Sequence, residues 1–396
     1  MNILFVNNIP FNPIGGGIER VTDILTRELL KRGYTVYYLC ARVPESERHL
    51  LDYTFPVKLY QLPEYGLFNK EENIEFYRQL QTELNIDVVV NQRGAWGLFN
   101  DLLSISKAPI LSVIHSIPDC GVTISLSNLI ERTVPPFACV KKIVKKAFAP
   151  IILLYWRNAL ARILSVKYNE LALYSNSIIT LSERYINILS RFINVLHQAK
   201  LVSIPNPTTF SIADTSFELK EKIVLYVGRL EKDEKEPMRL IKIWEYLDSR
   251  FPNWQLKIVG EGAEKKKMQE YVMSHNLKNV FFEGRQSDVS HFYNKASFIC
   301  LTSNFEGWGM TLTEGMQYGC IPFTFNNYGA AYDIIDDGVN GCLIPAFDLK
   351  KYANRLSELM SDDKKRLNMS KAAAEKVKVF SVEKVVDKWE MLFKSL

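Results

Sequence analysis

Two glutamates with seven residues between them, Glu306 and Glu314, are the side chains of this sequence best suited to chemistry. On one continuous helix their carboxylates would lie about 80° apart around the axis and about 12 Å apart along it, so a helical pair is not predicted. Gly307 and Gly309 instead predict a turn, and residues 311–318 predict a helix that begins after it. We therefore expect Glu306 in a loop and Glu314 about one turn inside the helix.

A helix that begins beside a carboxylate can bind two kinds of group. Its first N–H groups have no partner within the helix and can hold a phosphate. The carboxylate can accept two hydrogen bonds from a ribose diol. The alternative is one loop acid and one solvated helix acid with no ligand at all.

Three consecutive glycines, Gly15, Gly16 and Gly17, follow the first predicted strand and open the first predicted helix. Glycines there let the backbone approach a ligand closely and present N–H groups to an anion. The pattern is not a dinucleotide fingerprint, because Arg20 stands in place of the third glycine and no acid follows the second strand. A purely structural turn is the alternative.

Two cations, Arg229 and Lys235, lie between a predicted strand and the next predicted helix. Ligands of open α/β sheets bind at the carboxyl ends of strands, and paired cations suit a diphosphate. The alternative is an ordinary charged surface loop, because several acids occur between the two cations.

His115 ends another predicted strand, where a histidine is either structural or catalytic. The remaining histidines show no metal-ligand spacing, and the sequence contains no D-x-D, no Walker loop and no G-x-S-x-G. The sequence therefore predicts neither a metal site nor a resident cofactor.

Short apolar runs separated by amphipathic segments must position these residues. Apolar strands without polar alternation, separated by helices, predict parallel sheets that are covered on both faces. The predicted strands are Ile3–Val6, Thr35–Leu39, Val88–Asn91, Ile110–His115, Ile178–Leu181, Leu201–Ile204, Ile223–Val227, Gln255–Val259, Val280–Glu283, Phe298–Leu301 and Ile321–Phe325. The predicted helices are Ile18–Arg32, Glu72–Leu84, Met238–Asp248, Lys265–His275, Thr311–Tyr318 and Val382–Leu396.

The fold class that follows is α/β, with two consecutive doubly wound, Rossmann-like domains. Residues 205–222 lack a hydrophobic period and are predicted to link them. We place the first domain at 1–205, the second at 206–378 and a final amphipathic helix at 379–396.

Composition narrows the class of protein. A chain of 396 residues with 47% hydrophobic and 23% charged residues suits a globular protein of two domains. A net charge of +5 argues against a dedicated nucleic-acid binder. Six scattered cysteines without a C-x-x-C motif suit a reducing cytosol. The first seven residues predict a strand and not a signal peptide, and no transmembrane segment is predicted.

Residues 140–167 depart from this alternation of strands and helices. Four lysines at 141, 142, 145 and 146 fall on one helical face with apolar side chains opposite, and a second amphipathic stretch runs from Ile152 to Ile163. One interpretation is a pair of helices packed on the core with solvated lysines. The other is adsorption to an anionic membrane surface, where basic and apolar faces cooperate.

The order of the motifs resembles the GT-B glycosyltransferases, specifically the retaining enzymes of glycosyltransferase family 4. The similarity extends over nearly the whole chain, and the E-x7-E of Glu306 and Glu314 is its most specific element. The other matching segments are Gly15–Val21, Arg32–Val36, Leu181–Glu183, Ile204–Pro207, Val227–Leu230, Ile258–Gly262, Val280–Gly284 and Asp336–Gly341.

The resemblance implies a GT-B architecture, in which two Rossmann-like domains face each other across a cleft, and a final helix that crosses back to the first domain. It implies catalytic roles for Glu306 against the donor sugar, for His115 at the cleft and for Arg229 at the diphosphate. It also implies donor binding by the following residues: Gly16, Gly17, Arg229, Lys235, Gly309, Met310, Thr311 and Glu314.

The implied function is metal-independent transfer of a sugar from a nucleotide-diphosphate donor to a glycan or lipid-linked glycan, in surface polysaccharide biosynthesis. The expected partners are the donor, the acceptor and, through 140–167, an anionic membrane surface, but not nucleic acid. The expected location is the cytoplasm or the inner face of the membrane. The alternatives are a nucleotide-sugar epimerase and a non-catalytic nucleotide-sugar-binding protein on the same fold.

Overall fold

The structure is a computed structural model that describes residues 1–65, 70–96, 100–119, 158–210 and 220–396. The chain divides into two compact units. The first consists of Met1–Asn12, Leu29–Ile204 and Leu392–Leu396, and the second of Pro13–Glu28 and Pro205–Met391. The boundaries that the sequence suggests at 205 and 378 stay predictions.

The sheet of the first unit is parallel, as the apolar runs predict. Its strands are β1 Asn2–Asn7, β2 Thr35–Cys40, β3 Leu59–Gln61, β4 Val88–Asn91, β5 Ile110–Ile114, β6 Ser177–Thr180 and β7 Leu201–Ser203. Among the described residues they form one seven-stranded sheet in the order β3-β2-β1-β4-β5-β6-β7. The order changes direction between β1 and β4, which is where open α/β sheets bind ligands.

Helices cover this sheet and provide its core. Among the described residues they are Glu71–Glu83, Asn100–Leu103, 158–174 and Glu183–Leu189, with 3-10 turns at Glu45–Leu51, Gly94–Trp96 and Val195–Lys200. The helix Gly17–Lys31 belongs to the second unit up to Glu28 and to the first unit from Leu29. Gly33 ends the first helix, because its φ of +84° lets Tyr34 N–H donate to Leu29 O at 3.1 Å. Tyr77 and Leu80 pack with side chains of β1 and β4, and Tyr168 and Leu171 pack with Ile178.

The second unit repeats the architecture. Its strands are β8 Glu221–Val227, β9 Gln255–Val259, β10 Val280–Gly284, β11 Ala296–Cys300, β12 Ile321–Phe325 and β13 Cys342–Ile344. They form a six-stranded sheet in the order β10-β9-β8-β11-β12-β13, with parallel pairs throughout. Here the order changes direction between β8 and β11.

The helices of the second unit are Met238–Glu245, Lys265–Ser274, Ser290–Lys295, Met310–Gln317, Ala331–Ile334, Leu349–Ser361 and Asp363–Val377, with a 3-10 turn at Lys378–Phe380. Trp244, Phe298 and Tyr352 lie in one continuous core cluster. Four of these helices, Ser290–Lys295, Ala331–Ile334, Leu349–Ser361 and Asp363–Val377, are absent from the sequence-based assignment.

The final helix, Val382–Lys394, buries the apolar stripe that its sequence predicts. Val385, Val386, Trp389 and Phe393 are each at most 4% exposed. The last residues, Leu392–Leu396, belong to the first unit, where the ring of Phe393 lies 6.0 Å from that of Tyr34.

The segment 140–167 is only partly described. Lys141, Lys142, Lys145 and Lys146 lie outside the described residues, whereas 158–167 begin the helix 158–174. That helix buries Leu164 and Tyr168 and leaves Ile163, which was expected on the apolar face, 49% exposed. No helix within the described ranges is both long and apolar enough to cross a membrane.

Candidate functional site

Glu306 lies in the loop between β11 and the helix Met310–Gln317, as the glycine pattern predicts. It is only 6% exposed, so its carboxylate is buried although it lies in a loop. Its Oε1 accepts hydrogen bonds from Ser303 Oγ at 2.6 Å and from Lys235 Nζ at 2.7 Å. A buried hydroxyl and a cation therefore fix the position of this carboxylate.

The sheet order explains why Lys235 meets Glu306, although 71 residues separate them. Lys235 follows β8 and Ser303 follows β11, and these two strands are direct neighbours. Carboxyl ends of parallel strands meet at one edge of a sheet, here at the point where the strand order changes direction. Open α/β sheets bind ligands at this edge, so it is the candidate site of the second unit.

Gly309 starts the helix that carries Glu314. Its φ of +92° lies in the left-handed region, and Leu312 N–H donates to its carbonyl at 2.9 Å. A Cβ atom added to Gly309 would lie 3.2 Å from Tyr328 Oη, so glycine suits both the conformation and the space. The helix begins at Met310, and its first turn contains Thr311, which places both residues where unpaired amides are found.

Glu314 is fully buried, with an exposure of 0%, so the alternative that this helix acid is solvated is wrong. Its Oε1 accepts hydrogen bonds from Arg20 Nη1 at 3.0 Å and from Thr209 Oγ1 at 2.8 Å. Its Oε2 accepts one from Tyr293 Oη at 2.8 Å. Burial and the neighbouring Glu314 raise the pKa of Tyr293 well above its ordinary value, so the phenol stays a donor.

A carboxylate offers roughly four acceptor positions, and three of those on Glu314 are occupied. Both hydroxyls of a ribose can therefore bind Glu314 only if at least one of its present donors moves. Arg20 can turn toward solvent, because its side chain is 39% exposed, whereas Tyr293 is fully buried.

Arg229 follows β8, and 58% of its side chain is exposed. Its guanidinium donates to Glu231 Oε2 at 2.8 Å and also pairs with Glu234. The loop that carries these acids is itself held by Asn304, whose N–H donates to Glu234 O at 2.8 Å. A phosphate that approached Arg229 would thus compete with two carboxylates.

The glycines at the start of the first helix lie in the second unit. The helix begins at Gly17, and a Cβ atom on Gly17 would lie 4.0 Å from Met310 Cγ, so the starts of the two helices are close to each other. A Cβ atom on Gly16 would lie 2.8 Å from Glu19 Oε2. The carboxylate of Glu19, which is 3% exposed, therefore turns back over the end of the helix where a phosphate was predicted.

His115 directly follows β5 in the first unit. Its Nε2 lies 2.6 Å from Gln92 Oε1, and within the described ranges its buried Nδ1 has no hydrogen-bond partner. Arg93, beside Gln92, donates from Nε to Asn7 Oδ1 at 2.7 Å. These side chains lie at the carboxyl ends of β1, β4 and β5, at the point where the order of the first sheet changes direction.

Burial, and secondarily the charge of Arg93, lower the pKa of His115 from 6.5 to about 3. The unfolded chain then binds a proton between these two values that the folded protein does not, so stability falls as the pH drops through this window. We expect His115→Gln to remove this dependence. The free energy of unfolding of the wild type should therefore fall relative to that of the variant by roughly 1–2 kcal/mol between about pH 7 and about pH 5. Denaturant unfolding at both pH values measures it, and a constant difference would contradict the lowered pKa.

The sequence did not identify several contacts that shape these sites. The residues concerned are Asn7, Glu19, Arg20, Gln92, Arg93, Thr209, Tyr293 and Ser303. Glu19 alone carried a local signal, because an acid three residues after a helix cap is a capping-box position. Among the residues that the structure describes, no group of three or more His, Cys, Asp or Glu side chains could hold a metal ion.

Two family models match consecutive parts of the chain. The model described as Glycosyltransferase Family 4 matches residues 15–209, and the model described as Glycosyl transferases group 1 matches residues 208–376.

Curated relatives carry similar descriptions. An uncharacterized glycosyltransferase of Haemophilus influenzae is 23% identical over 379 residues, which cover 95% of each chain. The GalNAc-alpha-(1->4)-GalNAc-alpha-(1->3)-diNAcBac-PP-undecaprenol alpha-1,4-N-acetyl-D-galactosaminyltransferase of Campylobacter jejuni is 31% identical over 188 residues, which cover 46% of this chain and 52% of that protein.

Solved structures share the fold. Anabaena Alr3699/HepE in complex with UDP and glucose superposes with a TM-score of 0.73 at 17% identity, with 100% of both chains covered. The pneumococcal O-GlcNAc transferase GtfA in complex with UDP and GlcNAc has a TM-score of 0.72 at 14% identity, with 100% of this chain and 99% of that chain covered. At these identities the likeness establishes the fold alone.

Proposed function

The chain belongs to the GT-B glycosyltransferases of family 4, and we propose that it moves a sugar, with retention of anomeric configuration, from a nucleotide diphosphate to a glycan or lipid-linked glycan. Both structural neighbours described above hold UDP, which supports a nucleotide-diphosphate donor. The name of the Campylobacter relative includes an undecaprenol-linked acceptor, which supports a role in surface polysaccharide biosynthesis.

The observation that carries the proposal is the group formed by Lys235, Ser303 and Glu306, with Arg229 on the same loop as Lys235. A lysine ammonium has three donors, so Lys235 can keep its bond to Glu306 while it also donates to a phosphate. Cations and helix amides aimed at a departing diphosphate stabilise the charge that develops there. We propose that they supply this charge without a metal ion.

In the proposed reaction the acceptor oxygen forms its bond to the anomeric carbon on the face from which the diphosphate leaves. The bond between that carbon and the phosphate oxygen breaks, and its electron pair goes to the leaving phosphate. The proton of the acceptor hydroxyl passes to the same phosphate. Glu306 lies against the donor sugar in this scheme, and the neutral His115 offers a hydrogen bond and no charge.

The test is a thermal-shift screen against nucleotide sugars, followed by product analysis with the donor that stabilises the protein. Free nucleoside diphosphate together with a new glycoside supports transfer. An isomerised donor would instead identify an epimerase, and stabilisation without any product would identify a binding protein.

For Glu314 we propose binding of the ribose hydroxyls. Glu314→Gln keeps the shape of the side chain but removes its charge, and we expect the Kd for the nucleotide to rise by about tenfold or more. Isothermal titration of the variant and of Glu270→Gln, an exposed helical acid of the same unit, measures the effect. Unchanged nucleotide affinity in Glu314→Gln would exclude the ribose role.

We propose a cytoplasmic location for the protein, with contact to the inner face of the membrane. The predicted contact is the basic segment 140–167, most of which lies outside the described residues. A lipid-linked acceptor would be reached from that face.

A further inference from the structure

Five exposed apolar side chains lie on two neighbouring segments of the first unit. Val195 and Leu196 are 80% and 89% exposed, and three residues of the helix 158–174 are exposed as well. Those are Ile163, Val166 and Leu173, at 49%, 59% and 64%. We call these five residues the apolar patch. Contiguous exposed apolar surface usually marks an interaction site.

Hydrogen bonds bring the two segments of the apolar patch together. Val166 and Leu173 lie three residues before and four residues after Asn169, so all three share one helical face. Asn169 Nδ2 donates to Phe192 O at 2.9 Å, and Asn169 Oδ1 accepts from Asn194 N at 2.9 Å. Val195 follows Asn194 directly, so it emerges beside this helical face.

Basic side chains border the apolar patch. Arg162 precedes Ile163, and Arg191 lies just before the loop that carries Val195; both arginines are exposed. Among the exposed residues of the helix 158–174 at this face, Glu170 is the acid. Apolar side chains bordered by cations are typical of surfaces that bind anionic lipid headgroups while they insert into the interface.

We propose that the apolar patch is the surface on which this protein docks to an anionic membrane. The helix 158–174 would lie along the interface, with Val195 and Leu196 inserted beside it. The choice of a lipid partner rests on the proposed lipid-linked acceptor. The surface itself consists of described residues of the first unit.

Docking through this helix would place the membrane close to the segment that follows His115. Tyr168, on the buried side of the same helix, donates from its hydroxyl to Pro118 O at 2.7 Å. Pro118 lies three residues after His115, in the segment that leaves β5 at the ligand-binding edge of the sheet. A membrane under the exposed side of the helix would therefore lie within one helix diameter, about 10–12 Å, of that segment.

A second copy of the chain is the competing occupant, but it suits the patch less well. In a symmetric dimer the same patch faces itself, so the interface would hold two copies each of Arg162, Arg191 and Glu170, and its cations would outnumber its acids. Like charges brought together across an interface are unfavourable. The charge pattern therefore favours an anionic lipid surface over self-association.

The experiment is flotation of the full chain, without donor or acceptor, on vesicles of phosphatidylcholine with and without phosphatidylglycerol. We expect binding to the vesicles that contain phosphatidylglycerol, reduced by salt and absent on phosphatidylcholine alone. The double variant Val195→Ser/Leu196→Ser should bind these vesicles at least about tenfold more weakly than the wild type. The matched control is Met273→Ser in the second unit, where Met273 is 70% exposed, and it should bind like the wild type.

Each other outcome overturns the proposal. Absence of wild-type flotation, or equal flotation of the double variant with an unchanged melting temperature, excludes this surface. A dimer in light scattering that the double variant dissociates would assign the apolar patch to self-association. Because transfer and nucleotide binding are measured separately on soluble substrates, none of these results would affect the proposed enzymatic function.

Discussion

Replacing Arg229 with alanine is expected to lower kcat/KM for transfer by at least about 10²–10³-fold while the protein stays folded. The loss follows if the guanidinium stabilises charge on the departing diphosphate. Folding should be little affected, because Arg229 is 58% exposed and exposed ion pairs contribute little. Release of nucleoside diphosphate measures the rate, and Arg250→Ala, an exposed arginine of the same unit, is the control.

The two acids on Arg229 provide an independent check of the same role. If they compete with the diphosphate, then Glu231→Gln/Glu234→Gln should free the guanidinium and lower KM for the donor several-fold. A purely structural Arg229 would give the opposite pattern, in which the acid variants change nothing and Arg229→Ala retains its activity. That result would remove the diphosphate assignment.

Glu306→Gln is expected to reduce the transfer rate by at least about 10²-fold, with little loss of stability. The amide keeps an oxygen that can accept from Ser303 and Lys235, so the buried contacts survive while the negative charge is lost. Glu306→Ala should be equally inactive but less stable than Glu306→Gln, because it also leaves the buried Ser303 hydroxyl and Lys235, which is 18% exposed, without an acceptor. Single-turnover rates and melting temperatures separate the two effects.

Ser303→Ala is the matched control for Glu306. It removes one hydrogen bond to the carboxylate and retains the charge, so we expect a loss of about tenfold, much smaller than that of Glu306→Gln. Equal losses in both variants would show that the position of the side chain matters and its charge does not.

Much of the fold follows from local pattern. Strands such as β1, β4 and β12 are recognised from their continuous apolar runs, which occur because both faces of these strands are buried. The strands β3 and β13, with three residues each, are missing from the sequence-based assignment. They lie at the edges of their sheets, where a short strand needs no continuous apolar run.

The candidate site is likewise only partly predictable from local sequence pattern. The loop position of Glu306 and the helical position of Glu314 follow from the glycines between them. The burial of Glu314 does not, because its donors Arg20 and Thr209 lie 294 and 105 residues away in the sequence. Likewise, the sequence pattern does not predict the contact between Lys235 and Glu306. That contact depends on the sheet order, which places β8 next to β11. The roles of all these residues stay predictions until the variants are measured.

The contact between Arg20 and Glu314 has a practical consequence for anyone who wishes to express half of this protein. A fragment cut at Pro205 and ending at Met391 would retain Thr209 and Tyr293 but lose the guanidinium. Depriving a buried carboxylate of its cation is destabilising by roughly 3–5 kcal/mol, and by less where the cation is partly solvated, as here. A recombinant second unit would therefore need residues 13–28 joined to it, by circular permutation or by co-expression as a peptide.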